Sequence, residues 1–432
     1  MHCSTLGRCA LVAAWMLPIA GALAADDYDQ PPISYSTAEP HNTVEVVRQQ
    51  LDAGAAALAY DDDFGYLPSL LNALHVPVES QMFVYSQTSL QRGRISPRTP
   101  RAIYFNDDVY IGYCHRGGII EISAVDPQLG AVFYTLGQRE SSSPALVRHN
   151  DNCLTCHSTS RTGNVPGHLV RSLYVDDSGL PLLDRASYVV NHTTPIKDRW
   201  GGWYVTGTHD AQSHMGNLIL SEGQATAAAD DAGDRQVTEP GELVLPEHYL
   251  TTYSDVVALM VLDHQTFVHN RLTQASFETR QALDDEATIG QASDRPDGRL
   301  SEVATSRIAS AGDDLVDALL LVNEAPLSTP LRGTSGFAEV FVQQGPHDAR
   351  GRSLREFDLN TRTFRYPCSY LIYSKSFDAL PSEMRDYVWQ RLWSVLAGED
   401  TAEKFAHLSE NDRQAIREIL QDTKPGIPAY WE

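Results

Sequence analysis

The chain has few cysteines and few cations. Its 432 residues hold 6 Cys, and 33 Lys and Arg stand against 56 Asp and Glu, for a formal net charge of -23. Such a balance argues against nucleic acid and anionic membranes as partners, and would favour a basic one such as a cationic electron donor. Beyond the first 24 residues no long apolar run occurs, so no membrane span is expected in the mature chain. No internal repeat is visible. No second short-spaced Cys pair accompanies the one Cys pair, and zinc sites usually require a second pair of ligands.

That pair lies in the string Cys153-Leu154-Thr155-Cys156-His157. Two thiols two residues apart, followed at once by an imidazole, form the attachment pattern of a c-type haem. On one helical turn each thiol can add to one vinyl group of the porphyrin, and the histidine then falls under the iron as its proximal ligand. A thioredoxin-like redox pair and half of a zinc site are the alternatives.

The N-terminus agrees with an exported haem protein. Residues 1–24 read as a signal peptide, with Arg8, an apolar stretch from Ala10 to Ala20 and the cleavage pattern Ala22-Leu23-Ala24. The mature protein is expected to be periplasmic or secreted. Cys3 and Cys9 leave with this segment, and Cys153 and Cys156 go to haem. Cys114 and Cys368 remain, and in an oxidising compartment they could pair.

The expected fold class is α+β. An antiparallel β-rich haem-binding lobe spans 25–220, a loop or lobe boundary covers 221–245, and a mainly α-helical lobe spans 246–432. After an extended arm over 26–40, a helix is expected over 43–60 and a strand over 81–86. Segments 101–105, 108–114, 119–125 and 130–136 are rich in β-branched and aromatic residues. Turn signals separate them at Asn106-Asp107, Gly117-Gly118 and Asp126-Pro127, which predicts a meander leading to the haem motif. A hairpin is expected with arms 169–175 and 180–183, and a strand at 217–220. Further on, Ser254 is expected to cap a long helix to about Leu283, with Val257, Val261, His264, Val268 and Leu272 on one stripe. A helix is expected over 301–322 and short strands over 338–343 and 369–373. Another helix starts at Pro381 and stops at Gly398, and a capping box at Ser409–Asp412 opens the last.

The segment from Trp200 to Met215 is a candidate distal wall for the haem. Trp200, Trp203 and Tyr204 supply flat apolar area with polar tips, and Gly201 and Gly202 allow close backbone approach. His214 is the first candidate for the sixth iron ligand, with His209, Met215 and His264 as weaker ones and His168 and His192 as further histidines to place. An open sixth position is the alternative. It would bind small molecules, whereas a closed one mainly passes electrons.

Several strings recur together in one family: Phe105–Tyr110 (FNDDVY), Ala124–Leu129 (AVDPQL), WGGWYVTGTH from Trp200, HMGN from His214, HQT from His264 and PCSYLIYS from Pro367. Over nearly the whole mature chain the sequence resembles uncharacterised exported bacterial proteins described as cytochrome c-domain proteins, with a single CxxCH haem motif. The resemblance implies haem binding and electron transfer, and carries over only Cys153, Cys156 and His157 as functional residues. The expected function is that of a periplasmic mono-haem c-type cytochrome, a carrier or an oxidoreductase with its substrate beside the haem. A haem-based sensor or ligand-binding module, and a structural haem, are the alternatives.

Overall fold

Side-chain oxygens at the turns set the central sheet. Asn106 Oδ1 accepts from the N–H groups of Asp108 and Val109, and Asp126 Oδ1 accepts from those of Gln128 and Leu129. Each reverses the chain between two β-branched and aromatic runs, and Gly130, at φ 72°, completes the second reversal. A computed structural model describes residues 27–210, 212–220, 236–238, 241, 243–293 and 300–431. The expected signal peptide and most of 221–245 lie outside the described residues.

In chain order the elements are α1 (Thr43–Asp52), α2 (Leu67–Ala73), β1 (Met82–Val84), β2 (Arg101–Phe105), β3 (Val109–Tyr113), β4 (Ile119–Asp126), β5 (Gly130–Gly137) and β6 (Leu146–His149). Then come α3 (Leu154–His157), β7 (Arg171–Leu173), β8 (Ser187–Val189), α4 (Val256–Ser293), α5 (Glu302–Leu319), α6 (Phe337–Gln343), α7 (Lys375–Asp378), α8 (Ser382–Leu396) and α9 (Glu410–Thr423). Strands β1 to β6 form one antiparallel meander in sequence order, and β7 pairs with β8 apart from it. The protein is thus α+β, with its sheet in the N-terminal half and its long helices in the C-terminal part.

The register divides the sheet into two faces. Ala102, Tyr104, Ile111, Tyr113, Ile120, Ile122, Val132, Tyr134 and Leu136 share one core with the N-terminal arm, α1 and α2. The other face carries Ile103, Phe105, Tyr110, Gly112, Glu121, Ser123, Phe133 and Thr135. Phe105 and Tyr110 on it join the core of α4, α5 and α8. Strand β3 is therefore buried on both sides, with α4 covering the face that carries Tyr110. Burying each large apolar side chain contributes roughly 1.5–3 kcal/mol.

Several sequence expectations are corrected. The first helix stops at Asp52 and not at residue 60, since Gly54 at φ 66° turns the chain away. The arm over 26–40 is irregular but packed: Tyr28 and Tyr35 are buried, and the Tyr35 hydroxyl donates to the Ala131 carbonyl at 2.8 Å. The turn at Asp176–Gly179 forms, yet the ladder that follows pairs 171–173 with 187–189, and 180–183 contributes only a bridge from Pro181 to Val175. The expected strand at 217–220 is a single bridge from Leu220 to Asp176. Segment 338–343 is helical, because Phe337 and Phe341, four residues apart, bury one face. Segment 369–373 is a 3-10 turn in which Ser369 Oγ accepts from the Leu371 N–H. Strand β6 escaped the sequence reading, being short and half exposed at the sheet edge. Cys114 and Cys368 are both buried free thiols, Cys368 within the helical core, and they do not pair.

The long helix is capped by Asp255 and not by Ser254. Asp255 Oδ1 accepts from the N–H of Val257 at 2.8 Å, while Oδ2 accepts from the N–H groups of Thr334 and Ser335. Ser254 instead donates to the Tyr204 carbonyl at 2.6 Å and accepts from the Phe83 N–H at 2.8 Å, joining the helix start to β1. Among the described residues no helix is long and apolar enough to cross a membrane. Asp255→Ala removes a cap and leaves two half-buried N–H donors without their acceptor, so it should cost about 1–3 kcal/mol. Urea titration checks this; a loss below about 0.5 kcal/mol would show that the 334–335 segment stays put without the carboxylate.

Candidate haem site

The CxxCH string folds as one helical turn standing against the second face of the sheet. The N–H of Leu154 donates to the Asp151 carbonyl, and those of Cys156 and His157 donate to the Cys153 carbonyl at 3.2 and 3.0 Å. Cys153 is half-buried and Cys156 exposed, and both are free thiols. Burial, followed by Glu121 and Asp151, pushes the Cys153 thiol up to about 11. A dithiol redox catalyst needs a thiol shifted the other way, so the redox-pair alternative loses support.

The loop after the turn folds back to hold the histidine ring. Thr159 and Thr162 form a reciprocal cap around 160–162, and Gly163 follows at φ 74°. A Cβ on Gly163 would lie 1.7 Å from Gln274 Nε2, which donates to the Gly163 carbonyl at 3.0 Å. Next come Val165-Pro166-Gly167. The Gly167 N–H donates to the His157 carbonyl at 2.8 Å, and the Gly167 carbonyl lies 3.0 Å from His157 Nδ1. A carbonyl can only accept, so in the neutral ring Nδ1 carries the proton and Nε2 presents its lone pair. Burial holds His157 below the ordinary imidazole range, opposed by the Gly167 bond, which keeps the ring neutral as a metal ligand must be.

Helix α4 fixes this loop. Asn270 Oδ1 accepts from the His168 N–H and its Nδ2 donates to the His168 carbonyl, both at 2.8 Å. The His168 ring meets Ser123 Oγ through Nε2 at 2.8 Å and lies 4.3 Å from the Tyr110 ring. The Tyr110 hydroxyl lies 3.0 Å from His269 Nδ1 and accepts from Gln265 Nε2 at 2.8 Å. Phe133, beside Ser123 in the register, lies 4.8 Å from the His157 ring. Asn270, Gln274, His269 and Gln265 were not singled out from sequence. Their signal was there, as polar residues on a helix face otherwise apolar.

The Trp200–Met215 segment is placed as follows. Its backbone adds to the outer edge of β1, the Tyr204 N–H donating to the Phe83 carbonyl at 3.0 Å. Trp203 thereby shares a face with Val84 and Arg101, and its Nε1 donates to the Arg171 carbonyl at 2.8 Å. Tyr204 points to the opposite face, stacks on Tyr85 and donates to the Pro97 carbonyl. Trp200 is fully buried and donates to Asp263 Oδ2 at 3.0 Å, beside the Arg199–Asp263 pair. His214 packs on Trp200 at 5.4 Å and on His209 at 4.5 Å. Met215 Sδ accepts from Ser172 Oγ at 3.5 Å. His264 meets His192 and Ser369 through its two ring nitrogens, at 3.1 and 2.7 Å.

Helix α4 measures the separation. The CxxCH turn and its loop meet α4 at Asn270 and Gln274, Trp200 meets it at Asp263, and the backbone before His209 meets it at Asp255 and Val256. At about 1.5 Å per residue, these anchors lie about 10 and 20 Å from Asn270. Of the expected distal group, Trp203 and Met215 bond to Arg171 and Ser172, and His168 lies in the loop that follows the turn. Among the described residues no three His, Cys, Asp or Glu side chains converge to hold a metal ion.

No family model, no curated protein and no solved structure matches the chain.

Four histidines around α4 are buried neutral. Burial pushes His192 and His269 down to about 3, and His168 and His264 well below their usual range. Their folded values lie below the unfolded value, so the unfolded chain binds more protons between the two. Their contribution to stability is whole above about pH 6.5 and is lost as the pH falls toward 3. Urea midpoints should drop steadily from pH 7 to 4; a flat profile would contradict neutral burial of these rings.

Proposed function

We propose that the protein is an exported mono-haem c-type cytochrome that works in electron transfer. The observation that carries this is the orientation of His157: the Gly167 carbonyl takes Nδ1–H, and Nε2 is left to a metal, one residue after two thiols on the same turn. Bound there, haem would supply a one-electron iron couple. Cys153 and Cys156 would hold it covalently and His157 would ligate its iron.

The residues around the turn fit such a group. The sheet face beside it has half-buried Ile103, Ser123 and Thr135, and Val147 there is 51% exposed. Burial, followed by the nearby Arg161 cation, holds Arg171 below its usual range, and Cys156 is close enough to oppose them. Neither arginine has a carboxylate partner among the described residues, and haem brings two carboxylates. The Gly167 bond strengthens His157 as a donor, and α4 holds the loop so that the ring does not rotate. Trp203 would close the side of the site toward β1.

Whether a substrate reacts beside the haem is a finer matter, and the distal groups decide it. His214 and His209 sit toward the start of α4, while His168 is one residue from the carbonyl that orients His157. This favours electron transfer over a peroxide or substrate reaction at His214.

Produced together with a haem-attachment system, the wild-type protein should retain peroxidase-active haem stain on a denaturing gel. Cys153→Ala with Cys156→Ala should lose it completely. A mature, folded wild-type protein that never stains would overturn the reading.

A further inference from the structure

The charge beside this site is opposite in sign to that of the molecule. Residues 87–101 carry Arg92, Arg94, Arg98 and Arg101 and no carboxylate, in a chain of net charge -23. Arg92, Arg94 and Arg98 are exposed, and Arg92 and Arg94 have no ion-pair partner among the described residues. Between Ser89 and Arg92 stands Leu90, 58% exposed.

The loop lies where the haem reading needs an edge. Ser89 Oγ donates to Glu121 Oε1 at 2.6 Å, and Glu121 Oε2 pairs with Arg101 at 2.7 Å. Glu121 and Arg101 belong to the sheet face beside the CxxCH turn, and both act on the His157 ring. Gln91 clasps the start of β4, with Nε2 donating to the Ile119 carbonyl at 3.0 Å. On the other side the Gln87 N–H donates to the Gly179 carbonyl at 2.9 Å. The hairpin tip reached there carries Asp176 and Asp177, with Asp184 and Arg185 further along the chain, so the surplus of cation belongs to the loop itself.

We infer that loop 87–101, with Leu90 at its centre and Arg92, Arg94 and Arg98 around it, docks an acidic electron-transfer protein. This rests on the haem reading. An exposed apolar residue ringed by cations suits a brief encounter, in which charge steers and a small apolar contact excludes water. The partner is then acidic, not the basic one that net charge alone suggested. A protein of such charge would otherwise repel it, so the local patch would decide the approach.

The test uses the full haem-loaded protein, with loading read first from its absorption spectrum. Hexacyanoferrate(III), an anion, takes one electron from the reduced haem and becomes hexacyanoferrate(II). Its rate should fall about tenfold from low to high ionic strength, and Arg92→Glu with Arg94→Glu should reverse that trend. A wild-type rate that rises with salt, as net charge would dictate, overturns the proposal. As a macromolecular probe, poly-glutamate should bind the wild type at low salt and not the double variant; equal binding to both also overturns it. Poly-glutamate binding is read whether or not haem is present, so a protein without haem would fail the haem reading and still test the surface.

Discussion

The site depends on one clamp, the pair of 2.8 Å hydrogen bonds by which Asn270 holds both backbone groups of His168. Asn270 is 9% exposed, so neither its amide nor the His168 backbone has water to fall back on. Leaving such groups unpaired costs about 1–3 kcal/mol each. With His168 fixed, the Gly167 carbonyl is fixed, and through it the tautomer and plane of His157. A Cβ on Gly167 would lie 2.4 Å from Asn270 Oδ1, so glycine is what lets the loop and α4 come this close.

The same helix explains the shape of the molecule around the site. Asp255 ties its start to the 334–335 segment, Asp263 holds Trp200 and Arg199, Gln265 and His269 meet Tyr110, and Asn270 and Gln274 hold the loop after the CxxCH turn. Each of these polar residues has a defined partner on another segment. Buried polar groups of this kind fix one arrangement of segments among many that would bury the same apolar area.

Much of the fold was legible because it rests on local chemistry. The meander followed from turn oxygens at Asn106 and Asp126, and α5, α8 and α9 from Ser301, Pro381 and the Ser409–Asp412 box. The errors came where a local signal served another purpose. Ser254 is a good capping residue that bonds β1 instead, and Phe337 and Phe341 follow the helical period in a segment short enough to pass for a strand. Within the site, the CxxCH turn was plain in sequence. Its supports were not, since His168 and Asn270 are 102 residues apart and Gly163 and Gln274 are 111 apart. The four arginines of 87–101 could have been counted in sequence, but net charge concealed them.

The most direct measurement is the intact mass and metal content of the protein made alongside a c-type haem attachment system. The account predicts one haem added covalently to each chain, one iron, and no free thiol at Cys153 or Cys156. Unmodified thiols at both positions, or zinc in place of iron, would contradict it.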